Sequence, residues 1–167
     1  MNRAHDAEQA QRSVKEAQKA GFSNITIDLI YGIPGMNLND WKKNLQKAFD
    51  LNVNHISAYC LTVEKGTALH HFVKSGKSQN VNDEMAAEQF LLMQEEMQKN
   101  GFIAYEISNY GKENYFSQHN TSYWKGESYL GAGPSAHSYN KTSRQWNISN
   151  NKRYIDAITD GLRLAMH

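Results

Sequence analysis

The sequence predicts an α/β fold whose sheet contains parallel strands. Between residues 6 and 107, segments with the apolar periodicity of helices alternate with three segments that have the composition of strands. The first strand segment is apolar on both faces, which is typical of a parallel strand covered by helices on each side. Strand, helix and strand recur within about 40 residues, a length that suits one βαβ unit with a right-handed crossover.

The first helix is predicted to begin after Asp6 and to end before Gly21. Asp6 and Gln9 have the spacing of a capping box. Ala10 and Val14 then lie on one face of the helix. Gly21 suits the left-handed conformation that commonly follows the end of a helix.

The next three elements make up the predicted βαβ unit. Phe22–Ile33 is rich in β-branched and aromatic residues and ends in a Gly-Ile-Pro-Gly turn, so we expect a strand there. Leu38–Asp50 carries apolar residues at helical spacing after a capping Asn37. His55–Thr62 is the second predicted strand.

Four further elements complete the secondary-structure prediction. Glu64–Asn80 is polar, and we expect a surface loop with one helical turn around Leu69–Val73. A long helix is predicted over Asp83–Lys99, followed by a third strand over Phe102–Ile107. A final helix is predicted over Lys152–Gly161.

The composition changes after Ser108. Residues 109–139 are rich in tyrosine, glycine, serine and asparagine and lack helical periodicity, so short strands and ordered loops are expected there. Ser128–Leu130 and Ala136–Tyr139 are the strand candidates. We therefore predict a division into residues 1–108 and 109–167.

Composition limits the possible partners and compartments. The 167 residues carry a formal net charge of +1, which gives no general electrostatic reason to expect binding to nucleic acid. No apolar run has the length of a membrane span, and no signal peptide is recognised at the N-terminus. Cys60 is the only cysteine, so no disulfide can form within the chain. A cytoplasmic protein is the expectation.

Asp28 is the strongest candidate for a functional side chain. It lies in a strand segment that otherwise looks buried, and a buried carboxylate requires a hydrogen bond or a charged partner. Ligands of parallel α/β folds bind at the carboxyl ends of the strands, where Asp28 could accept hydrogen bonds from a ribose hydroxyl pair or an amine. The alternative is a structural aspartate that caps a loop or pairs with an arginine.

The other candidate sites leave more alternatives open. Gly131–Ala136 resembles a phosphate loop but lacks its lysine, so a tight turn with closely approaching backbones is favoured. Cys60 is predicted to be a buried thiol, and no histidine or cysteine pair has the spacing of a zinc site. His119 and His137 suit a haem ligand, a proton donor or a structural role. An aromatic set suits either a flat ligand pocket or a core: Tyr110, Tyr115, Phe116, Tyr123, Trp124 and Tyr129.

Several motifs in order resemble the oxygen-independent coproporphyrinogen dehydrogenase family of radical S-adenosylmethionine proteins. They are Ile27-Asp28-Leu29-Ile30-Tyr31-Gly32-Ile33-Pro34-Gly35, the segments 55–59 and 105–109, Gln118-His119-Asn120-Thr121-Ser122-Tyr123-Trp124, and the segment 129–138. The resemblance extends over residues 3–161, and the last two motifs are most similar to the haem-chaperone branch of that family.

The resemblance implies a partial TIM-type barrel that binds a [4Fe–4S] cluster and S-adenosylmethionine. Such proteins hold the cluster on three cysteines in a Cys-x-x-x-Cys-x-x-Cys loop, whereas this chain has only Cys60. Three predicted strands are also too few to close a barrel. We therefore expect a fragment without the cluster-binding N-terminal part, with no metal ligand and no catalytic residue of its own, and inactive by itself.

Individual site residues follow from the resemblance alone. Arg3 matches an arginine that contacts S-adenosylmethionine, and Asp28 matches a ribose-binding aspartate. Ile30 and Thr62 match positions that flank the adenosine, with Thr62 contributing its backbone. The residues implied to lie near a tetrapyrrole are His119, Tyr123, Trp124 and His137.

The resemblance implies haem binding and delivery of haem to an acceptor protein. The alternative is a true dehydrogenase of porphyrin synthesis, which decarboxylates the propionates of coproporphyrinogen III by means of a 5′-deoxyadenosyl radical. An exposed sheet edge in a partial barrel would also favour self-association.

Overall fold

The computed structural model describes residues 5–161 and 165–166. The chain forms two compact units, Met1–Phe116 and Ser117–His167. None of the helices in the described ranges combines the length and the apolarity that crossing a membrane requires. The first unit contains α1 (Ala7–Lys19), β1 (Thr26–Tyr31), α2 (Leu38–Asp50), β2 (His55–Cys60), α3 (Ala68–Lys74), α4 (Asp83–Lys99), β3 (Ile103–Ala104) and β4 (Asn109–Gly111), and the second contains α5 (Gln118–Trp124), β5 (His137–Tyr139), β6 (Arg144–Asn147), α6 (Asn151–Thr159) and β7 (Ala165–Met166).

The first unit is built on a four-stranded mixed sheet in the order β1-β2-β4-β3. β1 and β2 are parallel and are joined through α2, which confirms the predicted βαβ unit. β4 pairs antiparallel with both β2 and β3. Within the described residues, β1 therefore forms one edge of this sheet and β3 forms the other.

The third strand predicted over Phe102–Ile107 is confirmed only in part, as β3, which pairs antiparallel with β4. β3 has only two residues, and the chain turns back to form β4, which was not predicted. The carboxylate of Glu106 accepts hydrogen bonds from the backbone N–H of Ser108 and the side-chain amide of Asn109. These bonds stabilise the reversal of the chain. The segment that begins at Phe102 thus ends at a turn that the Glu106 side chain stabilises. This turn contains no glycine or proline that would have marked it in the sequence.

Helices α2 and α4 cover one face of the sheet and form the core. The predicted apolar face of α2 buries Trp41 and Leu45, which confirms the periodicity found in the sequence. The core cluster comprises Trp41, Leu45, Ala48, Val53, Ile56, Ala58, Met93, Met97, Phe102 and Tyr110.

The helix boundaries follow the predicted capping residues. Asp6 and Gln9 form the expected capping box at the start of α1. Asn37 caps α2 by accepting a hydrogen bond from the backbone N–H of Asp40. The helical turn expected around Leu69–Val73 is α3.

The second unit contains an antiparallel sheet in the order β5-β6-β7. The predicted strand over Ala136–Tyr139 is confirmed as β5, whereas Ser128–Leu130 contributes only an isolated bridge between Tyr129 and Tyr139. The expectation of no helix in this region was wrong, because α5 spans Gln118–Trp124.

The tight turn expected at Gly131–Ala136 is confirmed. A Cβ atom added at Gly131 would collide with the backbone of His137. Gly133 has a φ of +104°, a conformation that side-chain-bearing residues rarely adopt. The glycines therefore serve close backbone packing in this loop.

Candidate functional site

The register of β1 and β2 defines a polar face of the sheet, opposite the helices. Asp28 pairs with Ser57 and Ile30 pairs with Tyr59. Paired residues on neighbouring strands point to the same face, and alternate residues point to opposite faces. Ile27, Leu29 and Tyr31 contact the core, so their alternates face away from the helices. We call the face that carries Thr26, Asp28, Ile30, His55, Ser57 and Tyr59 the polar face.

Asp28 lies on this face as an exposed residue, and the expectation that it is buried was wrong. Among the described residues, β1 is an edge strand of its sheet. Within those residues, no hydrogen bond or ion pair holds the Asp28 carboxylate. Its oxygens are thus available to accept hydrogen bonds from a ligand.

The other predicted cofactor residues lie toward the carboxyl ends of the same strands. Ile30 lies two residues beyond Asp28 on the same face of β1. Thr62 follows the end of β2, and its hydroxyl donates a hydrogen bond of 3.3 Å to Glu64. The backbone N–H of Leu61 bonds the Tyr31 carbonyl at 2.8 Å, which aligns the two strand ends. Arg3 lies outside the described residues.

A cleft of about 530 Å³ adjoins the edge of β1, a volume within the range of small-molecule sites. It is lined from β1 by Ile27, Asp28, Leu29 and Ile30, and from β2 by Tyr59, whereas Thr62 does not line it. Residues of α1 and α2 supply other parts of the wall, among them Gln11, Val14, Trp41 and Lys47, and His5 contributes from the segment before α1.

His55 is the buried polar group at the amino-terminal part of the polar face. Its Nε2 lies 2.6 Å from the Tyr105 hydroxyl, and its Nδ1 is buried without a partner among the described residues. Burial lowers the pKa of His55, although the carboxylates of Asp28 and Glu106 act in the opposite direction. The imidazole is therefore neutral at neutral pH.

Asn109 extends the polar face onto β4, where it pairs with Ser57. It is buried, and its amide donates a hydrogen bond to Glu106. Its Oδ1 has no hydrogen-bond partner among the described residues. Asp28, Ser57 and Asn109 thus form one row of polar side chains across three strands.

The residues present do not fit an iron–sulfur cluster. In the part of the chain that the structure describes, no three histidine, cysteine, aspartate or glutamate side chains lie close enough together to hold a metal ion. Cys60 is exposed, so the prediction of a buried thiol was wrong, although partial burial still raises the pKa of that thiol. A single thiol cannot replace the three that such a cluster needs.

By contrast, the polar face fits a ligand rich in hydrogen-bond donors, such as S-adenosylmethionine. The free carboxylate of Asp28 suits the two hydroxyls of a ribose, and Ile30 offers an apolar neighbour for the base. The fit rests on an exposed carboxylate and a half-buried apolar side chain that lie on the same face of β1 and line one cleft.

In the second unit, two groups of aromatic residues include the predicted tetrapyrrole residues. His119 and Tyr123 lie one turn apart on α5, with ring centroids 4.8 Å apart. Tyr129 continues this row 4.8 Å from Tyr123. His137 lies instead beside Trp146, at 5.9 Å between centroids.

Among the described residues, the Trp124 ring contacts neither group, and 68% of its surface is exposed. The structure thus brings His119 and Tyr123 together, while His137 belongs to another cluster.

Sequence reasoning did not single out His55, Ser57 and Tyr59 as parts of this face. Their positions alternate along one predicted strand, as do Thr26, Asp28 and Ile30 on its neighbour. Aligning the two strands as a parallel pair would have placed these six side chains on one face.

Curated relatives match almost the whole chain. The chain is 35% identical over 158 residues to "Heme chaperone HemW" of Mycobacterium tuberculosis, which covers 95% of the chain and 40% of that relative. It is 34% identical over 160 residues to the protein of the same name from Bacillus subtilis, covering 96% and 42%. It is 36% identical over 137 residues to mitochondrial radical S-adenosyl methionine domain-containing protein 1 of Danio rerio, covering 82% and 31%.

Among solved structures, coproporphyrinogen III oxidase (HemN) from Escherichia coli, described as a radical SAM enzyme, matches with a TM-score of 0.77. The match covers 98% of this chain and 40% of that protein at 17% identity, so it shows a shared fold. No protein-family model matches the chain. Over almost its entire length, spanning about two fifths of the bacterial relatives, this chain belongs to the radical S-adenosylmethionine family that includes the haem chaperones named HemW.

Proposed function

We propose that this chain forms one wall of an S-adenosylmethionine site and carries a surface for haem, and that it acts in haem binding and delivery. The names of the relatives favour haem delivery over coproporphyrinogen decarboxylation. Likeness to HemN supports the fold and does not select its reaction. A cluster would need cysteines that these 167 residues do not supply.

The main support for the proposed S-adenosylmethionine site is the exposed carboxylate of Asp28 on the polar face. It makes no hydrogen bond or salt bridge among the described residues, and it lines the cleft together with Ile30. A carboxylate at this position can accept hydrogen bonds from both hydroxyls of a ribose. The adenosine would then lie against the carboxyl ends of β1 and β2, between Ile30 and the segment after β2.

Replacement of Asp28 by alanine tests this part. We expect Asp28→Ala to weaken binding of S-adenosylmethionine by about 1–3 kcal/mol, because two hydrogen bonds to the sugar lose their acceptor. Isothermal titration calorimetry on the folded chain measures the affinity. Asp50→Asn is the matched control, since Asp50 is exposed and does not line the cleft. Equal affinities for wild type and Asp28→Ala would remove Asp28 from the site.

The haem surface is proposed on α5. His119 supplies an exposed imidazole, and the rings of Tyr123 and Tyr129 continue beside it in edge-to-face contacts. An imidazole next to apolar rings is suited to ligate haem iron while the rings contact the macrocycle. His137 lies in the other aromatic group, so the two histidines can be tested separately.

We expect His119→Ala to weaken haem binding at least tenfold and to shift the Soret band, because the axial ligand is lost. Absorbance titration with haemin gives both quantities. His71→Ala, an exposed histidine of the first unit, should behave like wild type. If His137→Ala loses the Soret band and His119→Ala keeps it, the ligand is His137 and the assignment to α5 is wrong.

A further inference from the structure

The strand β3 forms an open edge of the first unit, on the side of the sheet away from β1. Among the described residues β3 is the last strand of this sheet, and it pairs with β4 alone. In an antiparallel ladder, alternate residues direct both of their backbone groups toward the same neighbour. Either Ile103 or Ala104 therefore directs its N–H and carbonyl away from β4. An extended peptide can pair with that residue as the next strand.

A groove of about 520 Å³ adjoins this edge and is lined from α4, β3 and β4. Ala104 pairs with the core residue Tyr110, so its side chain lies on the face of the sheet that the helices cover. Leu91, Phe102 and Ile103 add apolar surface to the lining. Leu91 is 62% exposed and Ile103 is 47% exposed, so the groove is open to solvent. It has room for an apolar side chain of a strand that pairs with β3.

The rim of the groove on α4 is acidic. Glu88 and Glu95 lie one turn before and one turn after Leu91, and all three residues are exposed. Glu95 also lines the groove itself. Its carboxylate lies 3.8 Å from the ammonium of Lys99, but both side chains are more than half exposed, so this ion pair is weak. Lysine or arginine side chains of an incoming strand can therefore pair with both carboxylates.

We propose that the groove beside β3 binds an extended peptide that carries an apolar side chain between basic residues. The peptide adds a strand to β3 and places its apolar side chain in the groove, while its basic side chains pair with Glu88 and Glu95. A second copy of this chain fits less well, because a two-fold interface brings the same carboxylates together. No residue of the groove lines the cleft beside β1, so this site is separate from the proposed S-adenosylmethionine site.

The test is an NMR titration of the full ¹⁵N-labelled chain with the peptide acetyl-Lys-Val-Leu-Val-Lys-amide. Weak binding is expected, because few strand residues are open and Lys99 and Lys112 partly offset the charge of the rim. At millimolar peptide, the amide resonances of Leu91, Ile103 and Ala104 should shift and approach saturation. The acidic counterpart, acetyl-Glu-Val-Leu-Val-Glu-amide, should leave them in place.

The peptide backbone can be tested separately from its side chains. One peptide carries an N-methyl group on the leucine, and another carries one on each valine. Since alternate residues of a paired strand face β3, at least one of the two forms should bind more weakly than the parent peptide. Equal binding by all three forms would show that no strand is added.

Charge reversal on α4 tests the rim. Glu88→Lys and Glu95→Lys should each weaken binding about threefold, since each variant replaces an attraction by a repulsion at an exposed position. Glu16→Lys is the matched control, because Glu16 is an exposed glutamate of α1 whose ion pair with Arg12 resembles that of Glu95. The dispersion of the amide resonances confirms that each variant is folded before titration.

The outcomes decide the proposal either way. Saturable shifts at Ile103 and Ala104 that are reduced by Glu95→Lys and kept by Glu16→Lys support it. Absence of such shifts, equal shifts with the acidic peptide, or equal effects of the two substitutions overturn it. If these resonances instead shift with protein concentration and light scattering shows a dimer, the groove binds a second copy and the proposal is wrong.

Discussion

His55 links the polar face to the stability of the first unit. Its side chain is buried, and its bond to Tyr105 leaves Nδ1 without a partner among the described residues. Burial lowers the pKa of this histidine below its ordinary value of 6.5. Protonation of the folded form therefore requires a more acidic solution than protonation of the unfolded chain.

The consequence is a loss of stability in acid. As pH falls through 6.5, the unfolded chain takes up a proton at His55 before the folded chain does, so unfolding becomes more favourable. The loss levels off below the folded pKa. We expect the urea midpoint of wild type to decrease between pH 7.5 and pH 5.5, and His55→Gln to reduce that decrease. His71→Gln should not reduce it, since His71 is exposed. An identical pH dependence in wild type and His55→Gln would contradict this prediction.

The sequence identified a candidate functional residue where the residue type is unusual for its surroundings. Asp28 stands out as the one charged residue in an apolar strand. Its exposure and that of Cys60 were not predictable, because they depend on which faces of the sheet other elements cover. The aromatic row of His119, Tyr123 and Tyr129 likewise depends on a fold around α5 that the sequence pattern does not reveal.

At the scale of elements, Gln89 joins α4 to the loop after β1. Its side chain is fully buried, accepts a hydrogen bond from the Gly32 N–H at 2.8 Å and donates one to the Met36 carbonyl at 2.8 Å. Its own backbone carbonyl accepts a bond from the indole of Trp41 at 2.9 Å. One glutamine thus fixes the loop that follows the carboxyl end of β1.

Replacing this side chain should destabilise the first unit. Gln89→Leu leaves the Gly32 N–H and the Met36 carbonyl without their partner, at a cost of about 2–4 kcal/mol. Urea denaturation followed by tryptophan fluorescence measures the loss. Gln98→Leu makes the same substitution at an exposed position of α4 and should change stability little. A loss below about 0.5 kcal/mol for Gln89→Leu would mean that water replaces both bonds.

The elements that the sequence predicted are those with long apolar periodicity and clear caps. α1, α2 and α4 have both, and β1 is dense in β-branched residues. α5 has no apolar stripe. It is stabilised by the Ser117 cap and by side-chain hydroxyls of Thr121 and Ser122 that bond back to carbonyls.

At the scale of the whole molecule, the α/β class and the βαβ unit were predictable, whereas the mixed sheet was not. The direction of β4 depends on a reversal that Glu106 stabilises through Ser108 and Asn109, and no periodic pattern encodes such a turn. The division at residue 108 remains a prediction about domains. The compact first unit extends to Phe116, because β4 completes its sheet.

The position of β1 at the edge of its sheet has one further consequence. The Tyr31 carbonyl points toward β2, where it accepts the N–H of Leu61, so in a parallel ladder the main-chain groups of Asp28 and Ile30 point the other way. The residues whose side chains line the cleft thus also present their peptide groups at the open edge. A segment that pairs with this edge would order the same two residues that a ligand contacts. Any effect of pairing at this edge on the affinity of the cleft for its ligand is therefore matched by an equal effect of the ligand on the pairing.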